Sequence, residues 1–226
     1  MTLKNLFSES SGGLLPKEGM IPSFLQEGTK EISNKDDLPN IPCFENVAPN
    51  DAEKTRLIAK VIKKTPELSP ENWEKLTPEQ RLNTLQGIEN KIAKITERPP
   101  CKVVSEEMNN CTRGYYNDGK IAINSKLLES GGAEAMLQAT KTMVHEGRHA
   151  YQFYNLKCNE VEPNQELIAA WRVNIEELGY ETGEPTWPFG SEEIGFKKYF
   201  TQPVEVDARV FSENVVQASG LKEKLA

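Results

Sequence analysis

The strongest constraint on the fold is a pair of histidines, the only two in the 226 residues, which stand four apart in His145-Glu146-Gly147-Arg148-His149. The surrounding residues, from about 133 to about 155, have the composition of one long helix. Side chains four apart share one face of a helix, so both imidazoles can bind one Zn²⁺ at about 2.0–2.1 Å. Random placement would produce this pattern in roughly one chain in a thousand. We therefore expect a zinc centre in which His145 and His149 are ligands.

The acidic residue between the histidines indicates what such a centre does. Glu146 lies about 100° around the helix from His145, where its carboxylate can take a proton from a water molecule at the metal. Zinc lowers the pKa of such a water molecule towards about 7. This is the arrangement that a zinc hydrolase needs, and Glu146 is its predicted general base.

Zinc needs a third protein ligand, and a carboxylate is expected because no histidine is left. Glu205 is the preferred candidate, since Pro203 marks a helix start, where the helix dipole favours an acidic side chain. Glu166, on the helix after the motif helix, is the main alternative. The remaining candidates are Glu160, Glu162, Glu176 and Asp207. If Glu205 is the ligand, Asp207 is expected to hold a histidine N–H or to brace Arg209.

Amide hydrolysis also needs a hydrogen-bond donor for the developing oxyanion. Tyr199 is preferred because it stands near the proposed ligand Glu205 in the sequence. The other candidates are Tyr180, Tyr154 and Arg209.

Charge and composition exclude several other functions. The formal net charge is −7, with 27 basic and 34 acidic residues and no basic run, which disfavours nucleic acid and anionic membranes as partners. No apolar stretch is long enough for a bilayer span, and no Sec-type signal is visible at the start. We therefore expect a protein that is cytoplasmic in the producing cell or exported by a specialised secretion system. The four cysteines are interpreted as reduced thiols, with a Cys101–Cys111 bridge as the alternative.

The chain divides into two parts by composition. Residues 1–50 lack any sustained apolar period and are predicted to be a flexible extension: a wrapping segment, a secretion leader or a linker. Residues 51–226 are predicted to form one domain, with a helical part at 51–98 and a catalytic part at 101–226. Asp51 is expected to cap the first helix, and Ser69 and Thr77, each followed by proline, to cap the next two.

The fold class expected for this domain is α+β and mainly helical, with a small mixed or antiparallel sheet. Asp118-Gly119 supplies a tight turn for a hairpin over 114–124, after a strand at 102–105. The hairpin is expected to pack at the sheet edge against the motif helix. Further helices are predicted over about 164–178 and from Pro203 to about Val216.

These motifs together resemble a zincin metallopeptidase domain of the gluzincin type, and more narrowly the HExxH domains of bacterial secreted toxins and effectors. The resemblance covers about residues 70 to 216. It is carried by His145-Glu146-x-x-His149-Ala150-Tyr151-Gln152, Tyr199-x-x-Gln202-Pro203-x-Glu205-x-Asp207-Ala208-Arg209, Trp73-x-x-Leu76-Thr77-x-x-x-Arg81-x-x-x-Leu85-Gln86 and Gly114-Tyr115-Tyr116-x-x-Gly119-x-Ile121-x-Ile123-Asn124.

The resemblance implies a zinc endopeptidase that cuts a protein bound in extended form, with an immunity protein or a host target as a further partner. It also implies that Ile121 to Asn124 line the cleft as an edge strand, by strand addition. Two alternatives stay open at this point. One is a zinc hydrolase of a non-protein amide, and the other is a catalytically silent zincin fold that serves as a binding module.

Overall fold

The structure, a computed structural model, describes residues 49–109, 112–158, 161–181 and 198–225. The helices are α1 (Pro49–Lys63), α2 (Pro70–Lys75), α3 (Pro78–Ile95), α4 (Ser125–Glu129), α5 (Ala133–Cys158), α6 (Gln165–Arg172) and α7 (Pro203–Ser219). A π-helical turn (Val173–Glu177) continues α6, and a 3₁₀ turn (Glu223–Leu225) follows α7. The strands are β1 (Lys102–Glu106), β2 (Gly114–Asn117) and β3 (Lys120–Asn124). Most of the predicted extension at 1–50, and Cys111, lie outside the described residues.

The predicted fold class is confirmed. The three strands form a mixed sheet in the order β1-β3-β2, with β1 parallel and β2 antiparallel to β3. The hairpin turn is the predicted one, since Asp118 and Gly119 have φ values of 41° and 79°. The sheet packs against α5, which also contacts α7.

The expectation that Ile121 to Asn124 form an edge strand is wrong. These residues belong to β3, which pairs with β1 on one side and with β2 on the other. Their side chains are buried in the core, as central strand residues are. Within the described part of the chain, β2 is the strand of the hairpin that has an unpaired edge.

Local capping signals explain where two of the helices begin. The Ser69 hydroxyl accepts a hydrogen bond from the backbone of Asn72, and Thr77 forms the predicted capping box with Gln80. Asp51 does not cap the first helix, because α1 already begins at Pro49. Its carboxylate instead binds Arg148, on the motif helix.

The core surrounds α5, most of which is buried. One apolar cluster joins α1, α3, the sheet, α5 and the end of α7, and includes Ile58, Trp73, Ile121, Met143 and Val215. A second cluster lies where α6 and the start of α7 meet α5, and consists of Tyr151, Leu167, Ile168, Trp171 and Val204. The two clusters hold the motif helix against the first turn of α7. Among the described residues, no helix has the length and apolar character needed to cross a bilayer.

Candidate metal centre

The side chains of His145, His149 and Glu205 converge on one point between α5 and α7. The two histidine Nε2 atoms lie 3.1 Å apart. His145 Nε2 is 3.3 Å from Oε2 of Glu205, and His149 Nε2 is 3.1 Å from Oε1. The structure therefore brings together the two predicted histidines and the preferred carboxylate in one group that could hold a metal ion.

The spacing of these donor atoms suits a small divalent ion. Ligand atoms at about 2.0–2.1 Å from a tetrahedral ion lie about 3.3–3.4 Å from one another. The two Nε2 atoms are 3.1 Å apart, and each lies 3.1 or 3.3 Å from a different oxygen of Glu205, which is close to that value. Two imidazole nitrogens with one carboxylate are also a donor set that zinc commonly has in catalytic sites. The residues thus fit a zinc ion in both geometry and chemistry.

The two ligand-bearing helices place these side chains for simple reasons. His145 and His149 are one helical turn apart on α5, so both project from the same face. Glu205 lies in the first turn of α7, which starts with proline and crosses this face. Glu205 is only 1% exposed, so its carboxylate depends on these partners for its hydrogen bonds.

Charge coupling inside the group is strong. Burial disfavours ionisation of Glu205, but the neighbouring histidines outweigh it and hold the pKa of the carboxyl well below its usual range. Burial likewise opposes a charge on His149, yet the carboxylate of Glu205 raises the pKa of this imidazole to about 9. Without a metal, His149 therefore keeps a proton at neutral pH. A divalent ion would have to displace that proton.

Glu146 lies beside the group without belonging to it. Its side chain is buried, and burial raises the pKa of this carboxyl above its ordinary value, while His145 and His149 partly oppose the rise. The backbone of Tyr116 on β2 lies near enough to the carboxylate to oppose the rise of its pKa slightly. A raised pKa is what a carboxylate needs to exchange protons near neutral pH.

Two tyrosines flank Glu205. The Tyr180 hydroxyl donates to Oε1 of Glu205 at 2.6 Å, and the ring of Tyr199 meets that of Tyr180 edge to face at 6.3 Å. Burial, together with the charge of Glu205, raises the pKa of both phenols well above the ordinary value. Both hydroxyls therefore stay protonated and can donate hydrogen bonds. Tyr199, the predicted oxyanion donor, lies at this centre, and its role stays a prediction.

The competing carboxylates are elsewhere. Glu166 is exposed on α6, and Glu176 is exposed beside Arg172. Glu162 is buried but accepts a hydrogen bond from Tyr151. Glu160 lies outside the described residues. The described part of the chain therefore favours Glu205 over these alternatives as the third ligand.

The expected role of Asp207 needs a correction. Its carboxylate does not bind a histidine or Arg209; it accepts from Gln152 and from Arg148. Gln152 in turn contacts Nδ1 of His149 at 2.8 Å. Arg209 donates instead to the carbonyl of Phe200 and lies over its ring. Sequence reasoning missed Gln152, although its position three residues after His149 on the same helix was an available signal.

Comparisons with known proteins give no family for this chain. No protein-family model matches it, and neither does any curated protein or solved structure. The chemistry of the site is therefore the basis for a functional conclusion.

Proposed function

We propose that this protein is a zinc-dependent peptidase that hydrolyses a polypeptide bound in extended form. The observation that carries the proposal is the convergence of two histidine Nε2 atoms and the Glu205 carboxylate, with the buried carboxylate of Glu146 beside them. The gluzincin resemblance of the sequence agrees with this donor set.

A zinc ion at this group supplies Lewis-acid chemistry, which polarises the scissile carbonyl and lowers the pKa of a water molecule. Glu146 takes the proton from that water molecule and delivers it to the leaving amine nitrogen. Burial raises the pKa of this carboxyl, which makes it a better proton acceptor than an exposed glutamate. Tyr199 donates a hydrogen bond to the oxygen on which negative charge develops, and Tyr180 holds Glu205 in place.

The unpaired edge of β2 supports an extended peptide as the substrate. Arg113 accepts a backbone hydrogen bond from Asn124 across the hairpin, so the alternate residues Gly114 and Tyr116 direct their backbone groups away from β3. β2 packs against the motif helix, and the Tyr116 backbone lies near enough to Glu146 to lower the pKa of its carboxyl, so this edge is next to the proposed base. We propose that the Tyr116 carbonyl and the Gly114 backbone pair with a substrate strand.

This proposal names a protein substrate as the partner. The further expectation from the sequence, that the target belongs to a host or competitor cell and that an immunity protein exists, stays a prediction. Because the same chemistry hydrolyses any amide, cleavage of a non-protein amide is one outcome of the test below.

The test combines metal content with turnover. Purified protein is expected to retain about one zinc per chain and to cleave an unfolded protein such as casein. Glu146→Gln should keep the zinc and lose about 10²- to 10⁴-fold in kcat, because it removes the proton acceptor alone. Glu166→Gln, a matched change at an exposed glutamate, should leave both properties unchanged.

Three results would contradict the proposal. If the Glu146→Gln protein turns over substrate as fast as the unmodified protein, Glu146 is not the general base and the mechanism is wrong. Zinc-free purified protein that also fails to bind added zinc would remove the metal centre. Cleavage of small non-peptide amides but of no polypeptide, with Glu146 still required, would replace the peptidase by the alternative hydrolase.

A further inference from the structure

We propose that Gln152 and Asp51 are positioning residues of the metal centre, linked to His149 by a buried chain of hydrogen bonds that begins on the first helix. The chain runs from Asp51 on α1 through Arg148 and Asp207 to Gln152 and His149. It makes tight metal binding depend on the docking of α1. This inference rests on the proposed metal centre and goes beyond the ligands and the base.

The first link fixes the tautomer of His149. Its Nε2 atom faces Glu205 and His145, so the ring proton of a metal-binding imidazole has to be on Nδ1. Nδ1 lies 2.8 Å from Oε1 of Gln152, which can only accept. Gln152 therefore holds the ring in the tautomer that leaves Nε2 free for the metal.

The orientation of the Gln152 amide is itself determined. Its Nε2 atom donates to the carbonyl of Val204 at 2.9 Å and to Oδ2 of Asp207 at 2.6 Å. Both partners are acceptors, so the NH₂ group has to face them and the carbonyl oxygen has to face His149. A flipped amide would leave buried acceptors opposite an oxygen and the imidazole N–H opposite an NH₂ group. The backbone of α7 and the side chain of Asp207 thus determine that the carbonyl oxygen of Gln152, and not its NH₂ group, faces His149.

The next link holds Asp207. Arg148 donates to both of its carboxylate oxygens, at 2.8 and 2.9 Å. The same guanidinium donates to both oxygens of Asp51, at 3.0 and 2.7 Å. Arg148 therefore joins the two carboxylates as a bridge, with a planar fork turned towards each of them.

The Arg148 bridge is buried, so each of its N–H groups needs a hydrogen-bond partner within the protein. Arg148 is 1% exposed, and the rings of Phe211, Tyr151 and Trp171 surround its guanidinium, with centroids 4.6, 5.1 and 5.4 Å away. A buried cation that loses one of two carboxylates is left with unpaired N–H groups and shifts to recover them. Any shift of Arg148 moves Asp207, and through Gln152 it moves the ring of His149.

The first helix is linked to this site through Asp51. Asp51 and Arg148 are 97 positions apart, so the contact depends on tertiary packing, which holds α1 against α7. Lys54, one turn further along α1, reinforces the docking because its Nζ donates to Tyr151 at 2.6 Å and lies 3.5 Å from Glu162. The docking of the start of α1 therefore affects the position of His149, a proposed metal ligand, without direct contact between them.

The experiment compares near-isosteric variants of the full chain. Gln152→Met removes the acceptor for His149, and Asp51→Asn weakens the remote end of the network. Glu89→Gln is the control, because Glu89 forms an equally buried two-bond pair with Arg98, at 2.7 and 2.9 Å, for which the described residues show no hydrogen bond to His145, His149 or Glu205. Zinc affinity is measured by competition with a chelator, and ligand geometry by the visible absorption of the Co²⁺-loaded protein. Circular dichroism verifies that each protein is folded.

We expect Gln152→Met to weaken zinc binding by about 10- to 100-fold and Asp51→Asn by roughly tenfold, each with a changed Co²⁺ spectrum. Glu89→Gln should lower stability while its affinity and spectrum match those of the unmodified protein. Unchanged affinity and spectra in folded Asp51→Asn and Gln152→Met proteins would overturn this inference and leave the zinc centre intact. An equal loss in Glu89→Gln would also overturn it. Failure of the unmodified protein to bind zinc would instead refute the proposed function, and this inference with it.

Discussion

The hydroxyl of Tyr180 lies 2.6 Å from Oε1 of Glu205, the oxygen that also faces Nε2 of His149 at 3.1 Å. The other oxygen, Oε2, faces His145 at 3.3 Å. Because the pKa of Tyr180 is raised well above its ordinary value by burial, the phenol remains a donor at any physiological pH. Tyr180 therefore orients the carboxylate, in the way that a partner outside the ligand group usually orients a metal ligand.

The two tyrosines at the centre are expected to have separable roles. Tyr180→Phe should weaken zinc binding by about tenfold, because Glu205 loses the donor that orients it. Tyr199→Phe should keep the zinc and lower kcat by about 10² with little change in KM, because a donor to the developing oxyanion acts mainly in the transition state. Chelator competition and steady-state kinetics measure the two effects.

The outcome that counts against this division is a Tyr199→Phe protein with normal kcat and weakened zinc binding. In that case Tyr199 orients Glu205, and the oxyanion needs another donor. Arg209 would then be the next candidate, since the charge of Glu205 acts on its guanidinium.

Removal of the metal should destabilise the protein in a way that depends on Glu205. Saturation with zinc at 1,000 times the dissociation constant adds about 4 kcal/mol to the free energy of unfolding, and a chelator should remove that increment. In the Glu205→Gln protein the increment should be largely absent, whereas Glu166→Gln should retain it. Thermal or denaturant unfolding with and without zinc measures the difference. Equal increments in both variants would show that Glu205 is not a ligand.

The stability of the metal-free protein should depend on pH through His149. Its pKa is about 9 in the folded state against an ordinary 6.5, so between these values the folded state holds a proton that the unfolded state has lost. The contribution of this group is therefore complete below pH 6.5 and is lost as the pH rises to 9. Glu205 has the opposite sign, because its pKa is lowered, and its contribution is lost as the pH falls below the ordinary 4.5.

Chemical unfolding between pH 6 and 9 in the presence of a chelator should show this decline, and zinc-loaded protein should not, since a bound ion already excludes the proton from His149. Glu146→Gln protein is measured beside the unmodified protein, because burial also raises the pKa of the Glu146 carboxyl and because the charge of Glu146 contributes to the raised pKa of His149. The Cys101 thiol, with a pKa raised to about 11 by burial, adds a decline only at higher pH. The same slope with and without zinc would contradict the assignment to His149.

The parts of this fold that could be predicted from sequence are those set by local chemistry. The shared face of His145 and His149 follows from the helical repeat alone, and the turn at Asp118-Gly119 follows from the need for positive φ. Pro203 marked the start of α7, and with it the position of Glu205 in the first turn. These signals act over four residues or fewer, so a single sequence contains them.

The parts that could not be predicted depend on contacts between distant residues. The central position of β3 is decided by its parallel pairing with β1, which no turn or period encodes. Asp51 is of a residue type that commonly caps helices, but its carboxylate accepts hydrogen bonds from Arg148, 97 positions away. Likewise, the sequence does not distinguish Tyr180 from the other tyrosines, because only tertiary packing brings its hydroxyl to Glu205.

The close approach of β2 to the motif helix leads to a final prediction, on stability. A methyl group at Gly114 would lie 2.5 Å from the carbonyl oxygen of Ala122 and 2.6 Å from Cγ2 of Thr142, so either the hairpin or α5 has to move. Gly114→Ala should therefore lower the free energy of unfolding by about 1–3 kcal/mol, as overpacking does. Gly87→Ala, on α3 with nothing within 4 Å, is the matched control and should raise it by about 0.4–1 kcal/mol. Because Gly114 lies on the edge strand proposed to pair with substrate, Gly114→Ala should also raise KM, measured with the same peptide as wild type. If this variant is as stable as Gly87→Ala, the strand does not lie as close to α5 as the structure places it.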